Sequence, residues 1–491
     1  MTEVLDSPNP GGILGQWWFA ICVITLIIAS DYKVRVRDPH ATLGGSIDAY
    51  IVLELALYGL VALYLISNHL RPPRVRRTEA NIYFACLYVG LMVLSLTYTP
   101  YPLYAIVRAG QMSVLLALVL VAARVATRAD MHRFSHAFLS LIVLSVLYGV
   151  AAPSPPVNSL QVGRFTWLAI HPTLSGVLTG LGALLAVGYL VSGREARPGP
   201  IWPRWCYVVA LVICGGANLA SQTRGAVAGT ALGIVVVLVS MRGGRALVEM
   251  QVVLAVVILF FGLAFGNQIV AYFERGESSQ QLASLNTRTN LWETAANAAE
   301  KKPMFGYGVT SSRGIFFDET GLGGGHNAVV NVVVELGFVG LIIWALLLIT
   351  LVSGIRRLPI ERWPTLRFDR ALMLGVLTLL LVDGVFFDGT GSTANVAGTW
   401  LFVTVAWLAV CRRTTAEADR KPAETPAVHE PDPPPNPASL SIEAALQTAK
   451  IGRSSSESQD ETSGRHGIYG GSIRPPARGT HPDDPGGGGP R

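Results

Sequence analysis

The sequence predicts an all-α membrane protein, with about twelve transmembrane helices and one long helical loop on the outer side. Three observations predict it. Of 491 residues, 51% are hydrophobic and only 14% are charged, with a mean hydropathy of +0.44; a soluble domain carries about 25% charged residues. The apolar residues gather in runs of roughly 18 to 25, long enough to cross a bilayer as helices. Basic residues concentrate in every second connection between those runs.

The expected spans are 13–30, 48–67, 80–98, 103–123, 134–152, 168–191, 204–221, 225–241, 246–266, 326–352, 371–388 and 393–411. The first has an acidic flank, Glu3 and Asp6, and no small-residue cleavage site after it, so it reads as a retained span. Arg71, Arg74, Arg76 and Arg77 follow the second span, and Arg124, Arg128 and Arg133 the fourth. Arg194, Arg197 and Arg204 follow the sixth, Arg242 and Arg245 the eighth, Arg356, Arg357, Arg362, Arg367 and Arg370 the tenth, and Arg412 and Arg413 the last. Positive connections face the cytoplasm, so both termini are expected inside and the odd-numbered loops outside. Loop one breaks the pattern with Lys33, Arg35 and Arg37.

The expected domains are a membrane domain, 1–413, with its large outer loop at 267–325, and a cytoplasmic tail, 414–491. The tail is rich in Pro, Ser and Gly. It buries too little apolar surface to offset chain entropy, so disorder is expected. Its one helical candidate is Ser439–Lys450.

Composition also excludes. The net charge of +6 follows from the inner loops, and no aromatic-basic interleaving points to nucleic acid. Cys22, Cys86, Cys206, Cys214 and Cys411 lie in or beside apolar runs without metal-ligand spacing. Neither a disulfide framework nor a zinc site is expected.

Arginines on the outer side carry more information, because topology does not call for them there. Arg164, Arg224 and Arg288 are expected outside, and Arg108 lies inside the fourth span near its outer end. Guanidinium groups match phosphate oxygens bidentately and stay charged. An arginine in hydrocarbon costs about 2.5–3.5 kcal/mol or more unless paired, hydrated or snorkelling. For each there is a plain alternative: snorkelling for Arg108, a tight turn for Arg224, an ordinary loop charge for Arg164.

The loop before the tenth span is about sixty residues long, beyond an ordinary connection. Asn286 to Lys302 reads as a helix, with Asn286 or Thr287 as cap, alanines within and lysines closing it against the dipole. Leu291 and Trp292 give it an apolar side that suits the bilayer surface. Pro303 ends it, and a turn with Gly306 and Gly308 follows. Asp318 and Glu319 read as solvated. Gly-Gly-Gly-His326-Asn327 then opens the tenth span. Imidazole is the side chain best suited to moving a proton near neutral pH, and a helix start disfavours imidazolium. A capping or packing role is the simpler alternative for His326.

These residues resemble the O-antigen ligase and Wzy-type polymerase superfamily of integral membrane glycosyltransferases. Ser221-Gln-Thr-Arg224-Gly at a helical hairpin is similar to the family's Ser-Arg-Gly motif. Arg288-x-x-Leu-Trp292, then Pro303-x-x-Gly-x-Gly308, then His326-Asn327 with Glu335-Leu-Gly337-x-x-Gly340 follow in the family's order, over roughly 205–345. A triple glycine before the histidine departs from the family's pattern.

The resemblance implies transfer of a glycan from a polyprenyl-diphosphate donor, such as undecaprenyl diphosphate, to an acceptor on the outer face of a bacterial cytoplasmic membrane. It also implies no metal and no cofactor. His326, Arg288 and Arg224 form the expected catalytic set, the arginines holding the diphosphate and the histidine serving the acceptor hydroxyl as base or positioner. Arg164, Arg108, Asn327, Trp292 and Glu335 form the expected substrate-binding set. Direct displacement at the anomeric carbon predicts inversion. The acceptor is a glycan, a lipid or a protein, and its nature separates ligase, the favoured reading, from polymerase. Two other classes stay open: a twelve-span transporter or flippase using Arg108, Glu335 and Asp383, and an envelope-assembly scaffold. A transporter predicts internal repeats, and the long loop has no counterpart in the first half.

Overall fold

A computed structural model describes residues 13–35, 39–69, 79–155, 161–193, 198–242, 267, 271–272, 288–321, 323–387, 389–391 and 394–420. In these the chain is all-α, with one isolated backbone bridge between Pro153 and Trp167. The helices are α1 (Ile13–Asp31), α2 (Pro39–Leu43), α3 (Ala49–His69), α4 (Ala80–Leu94), α5 (Pro102–Val125), α6 (Arg128–Ala151) and α7 (Pro172–Val191). They continue with α8 (Arg204–Ala220), α9 (Arg224–Met241), α10 (Arg288–Lys301), α11 (Ser311–Thr320), α12 (Ala328–Arg356), α13 (Leu366–Gly384) and α14 (Val396–Arg420).

Every expected span but the ninth is a helix; the ninth lies outside the described residues. Eight of the helices are long and apolar enough to cross a membrane, and α1 and α8 are shorter apolar helices. The chain is a multi-pass membrane protein. Two boundaries move. The last helix runs on to Arg420, past the expected limit of 413, and the rest of the expected tail lies outside the described residues. The tenth span is two helices, because Gly337 breaks α12 with φ 66° and ψ −166°. Residues 338–356 rise about 28 Å at 1.5 Å per residue, close to the roughly 30 Å hydrocarbon core. The segment from Ala328 to Leu336 is therefore a separate helix ahead of the crossing one.

Small residues decide which helices touch. The most extensive packing joins α9 to α13, followed by α7 to α8 and α4 to α12. On α9, Gly229 meets the backbone of Leu379 and Gly233 that of Gly375, where a Cβ would come within 2.8 Å of a carbonyl oxygen in each case. Such stripes let backbones approach where lipid offers no hydrophobic drive to pack.

At the end of the bundle where α6 and α13 begin and α7 ends, a polar cluster is sealed in the core. Asp369 accepts from Arg128 Nη2 at 2.6 Å and Nε at 3.1 Å, and from Trp407 Nε1 at 2.7 Å. His132 Nε2 lies 3.2 Å from the same carboxylate, and its Nδ1 bonds Tyr189 Oη at 2.7 Å. His136 Nε2 bonds Tyr207 Oη at 2.8 Å. The cluster ties α6, α7, α8, α13 and α14 together at that end.

In loop one, carboxylates stand beside two of the basic residues. Lys33 pairs with Glu54 at 2.9 Å, and Arg35 pairs with Asp48. These cations are largely offset locally and so weigh less in the orientation.

Candidate functional site

The opposite end of the bundle carries the candidate site. The connection from α8 to α9 is a tight hairpin in which Gln222 takes a left-handed conformation with φ 50°. Thr223 precedes α9, and Arg224 is its first residue, half-buried. Arg164 comes to this hairpin from the loop before α7. Its Nε donates to Ser221 O and its Nη2 to Thr223 Oγ1, both at 2.9 Å. Thr223 Oγ1 in turn donates to Pro172 O at 3.0 Å, and His171 Nδ1 caps α7 through Thr173 N at 3.3 Å. Arg164 is thus no stray loop charge; it is bonded into the motif that presents Arg224.

The end of α13 links this hairpin to the histidine. A Cβ on Gly225 would lie 2.9 Å from Phe386 Cβ and 3.2 Å from Asp383 Oδ1, so the hairpin packs directly on Asp383, which is buried in α13. Two residues beyond Asp383, the Val385 carbonyl accepts from Asn327 Nδ2 at 3.1 Å. Asn327 Oδ1 meanwhile accepts from Val329 N and Val330 N at 2.9 and 3.1 Å, capping α12. Of the readings open for Asn327, the geometry gives it a cap that also tethers the His326 turn to α13.

His326 is half-buried and left-handed, with φ 47°. Positive φ is uncommon outside glycine, though less so for His, and strained backbone clusters at functional sites. The described residues hold four such non-glycine positions: Leu168, Gln222, Thr310 and His326. Gln222 and His326 lie within the motif segments, and Thr310 follows one. Before His326, Gly325 N donates to Asn331 Oδ1 at 2.9 Å, fixing the end of the glycine run.

The loop motifs lock onto the broken helix. Tyr307 N donates to Val334 O at 2.9 Å and Gly308 N to Glu335 O at 2.7 Å. In return, Phe338 N donates to Pro303 O at 2.8 Å and Val339 N to Met304 O at 3.1 Å. The Pro-x-x-Gly-x-Gly turn therefore satisfies the backbone groups that the Gly337 break frees. Glycines are required for the approach, since a Cβ on Gly306 would come 2.6 Å from Glu335 O and one on Gly337 2.3 Å from Met304 O.

Glu335 itself is buried, and its Oε1 accepts from Ser312 Oγ of α11. Trp292 packs with a small loop core of Leu291, Ala295, Ala298, Phe316 and Val334. The apolar side of α10, expected on the bilayer, is instead spent against α11 and the first part of α12. Arg288 is the first residue of α10, and its side chain lies outside the described residues. Asp318 and Glu319 are exposed, as read from sequence. Tyr101 Oη donates to Asp318 at 3.3 Å, and burial together with that carboxylate pushes its phenol above the usual range.

Arg108 takes a different place. Its Nη1 donates to Gln111 Oε1 at 2.8 Å and lies 3.6 Å from Glu54 Oε1, the carboxylate that also holds Lys33. It neither snorkels alone nor joins the Arg164–Arg224 hairpin. Arg313, which sequence reasoning did not single out, donates to Tyr104 Oη at 2.9 Å beside it. Asp383 also came forward only as a transport residue; its place on the hairpin follows from packing between α9 and α13, which no local motif encodes.

The class these elements define is a polytopic helical membrane protein with its polar, strained, motif-bearing segments gathered at one end. Residues 209–345, from α8 into α12, match the model of the family described as O-antigen ligase. The resemblance to the O-antigen ligase and polymerase superfamily thus holds over the stretch that builds the hairpin, the loop and the broken helix. No curated protein matches the chain.

Proposed function

We propose that the chain is a glycosyltransferase that moves a glycan from a polyprenyl-diphosphate donor to an acceptor hydroxyl on the outer face of the cytoplasmic membrane. The observation that carries the reading is the linked set of Arg164, the 221–225 hairpin, the end of α13 and the His326 turn, all within or touching the matched stretch. Arg224, with Arg288, receives the donor diphosphate, and Arg164 holds the hairpin for it. His326 faces the acceptor. As the acceptor oxygen attacks the anomeric carbon, the bond from that carbon to the diphosphate oxygen breaks. The hydroxyl proton passes to the imidazole, and the arginines stabilise the negative charge on the departing diphosphate. Attack opposite the leaving group inverts the anomeric centre. An open depression of about 510 Å3 beside the hairpin is lined by Arg164, Phe165, Thr166, Gln222 and Tyr272. It offers room and polar partners for the sugars next to the diphosphate.

Ligase is the favoured form of this reaction, and polymerase shares its chemistry. The test uses purified protein in vesicles with a polyprenyl-diphosphate glycan and a candidate acceptor, with and without chelator. Expected is release of carrier diphosphate with formation of a new glycosidic bond, unaffected by chelator. Movement of the intact donor across the vesicle with no new bond would overturn the reading in favour of a transporter. Single transfer to a different acceptor identifies a ligase, and carrier-linked ladders identify a polymerase.

A further inference from the structure

The loop carries one exposed apolar feature outside its own core. Lys301, Lys302, Pro303, Met304 and Phe305 form a consecutive exposed stretch, with Met304 57% and Phe305 50% accessible. The loop has its own buried core, and these two large side chains are left out of it. Their place is fixed by backbone bonds rather than by packing. Pro303 O and Met304 O accept from Phe338 N and Val339 N, and Phe305 O accepts from Tyr98 Oη at 2.9 Å.

Those partners locate the turn. Phe338 and Val339 are the first residues after the Gly337 break, where the bilayer-length part of α12 begins. Tyr98 follows the end of α4, another candidate span. Phe338, Ile342 and Ile349 on α12, and Val93 and Leu94 on α4, are themselves exposed apolar residues, as lipid-facing positions are. The exposed Met304 and Phe305 thus continue a lipid-facing surface at its rim. Just ahead of them, before Pro303, stand two lysines, with Lys302 Nζ held 4.5 Å over the Tyr307 ring. Cations flanking an apolar tip are the composition of a segment seated between headgroups and acyl chains.

We infer that residues 301–305 are an interfacial anchor whose partner is the bilayer itself. Met304 and Phe305 enter the acyl boundary, while Lys301 and Lys302 meet lipid phosphates. Because the same turn is bonded to both sides of the Gly337 break, its depth sets the height of the Ala328–Leu336 helix, and so of His326, above the membrane. The inference does not depend on the reaction proposed above.

Spin-label accessibility in the full-length protein tests it. The partly exposed Cys86 and Cys206 are replaced by Ser, and nitroxides are placed through Met304→Cys or Phe305→Cys. Ile349→Cys serves as the lipid reference and Glu319→Cys as the water reference. In vesicles, labels at 304 and 305 are expected to collide more with oxygen than with a water-soluble nickel chelate, as at 349 and opposite to 319. Chelate-dominated collisions like those at 319 would overturn the anchor. Adding anionic lipid is expected to deepen the labels at 304 and 305, and Lys301→Gln with Lys302→Gln to remove that response. A response that survives the double substitution would overturn the lysines' role. Carrier-diphosphate release, measured separately, keeps this outcome distinct from the fate of the enzymatic reading.

Discussion

Gly337→Ala is expected to abolish transfer and to lower stability by several kcal/mol. Gly337 sits at φ 66° and ψ −166°, a region that only glycine occupies comfortably; forcing a side chain there costs about 1–3 kcal/mol. The added Cβ would also come 2.3 Å from Met304 O, a backbone atom with little freedom to yield, and overpacking adds about 1–3 kcal/mol. Relief requires the Pro303–Gly308 turn to leave the helix. That would strip four backbone bonds and free the segment that carries His326. A control lies at Gly90, where a Cβ would meet nothing within 4 Å; Gly90→Ala should be neutral or slightly stabilising. Thermal unfolding in detergent, read beside transfer activity, checks both. A Gly337→Ala protein with unchanged melting and turnover would mean that the break is not imposed by this glycine.

Asp369→Ala is expected to be the most destabilising substitution at the other end of the molecule, while sparing turnover per folded molecule. Asp369 is fully buried, and the Arg128 side chain beside it is 2% exposed. Removing the carboxylate leaves a buried guanidinium without its counter-charge, a loss of about 3–5 kcal/mol. Trp407 Nε1 and His132 lose the same partner. Replacing both charges, as in Arg128→Met with Asp369→Leu, should recover a large part of the loss, since apolar groups of similar size often substitute for a buried pair without penalty. Melting of the two single variants and the double variant forms a cycle that isolates the pair. A double variant no more stable than Asp369→Ala alone would contradict it.

Much of the architecture was legible because bilayer physics writes it into composition: a helix that must satisfy its own backbone in lipid needs a long apolar run. The hairpin at Arg224 was legible for a related reason, since a polar tetrad between two apolar runs has only a turn to form. The double nature of the tenth span was not. Its apolar character runs on past Gly337 despite Asn331 and Glu335, and the backbone bonds that stabilise the break come from residues some thirty positions earlier, which periodicity cannot report. The same limit applies to Arg108. Its charge inside a span was visible, but its pairing with Glu54 depends on how α3 and α5 pack. The amphipathic pattern around Leu291 and Trp292 marks a side to be buried without saying against what. Gly306 and Gly308 stood out as a turn, whereas their task of admitting the α12 backbone emerges only when both partners are in place.

In the proposed reaction His326 takes the acceptor's proton beside a diphosphate site held by the 221–224 hairpin. The most direct measurement is single-turnover release of carrier diphosphate by His326→Ala and Arg224→Ala proteins in vesicles, with donor affinity measured separately and melting confirmed as native-like. His326→Ala is expected to bind donor as well as the parent but to release diphosphate slower by about 10²–10⁴-fold, the usual contribution of a general base, whereas Arg224→Ala is expected to lose donor affinity as well as rate. Folded His326→Ala protein that turns over at the parental rate would contradict it.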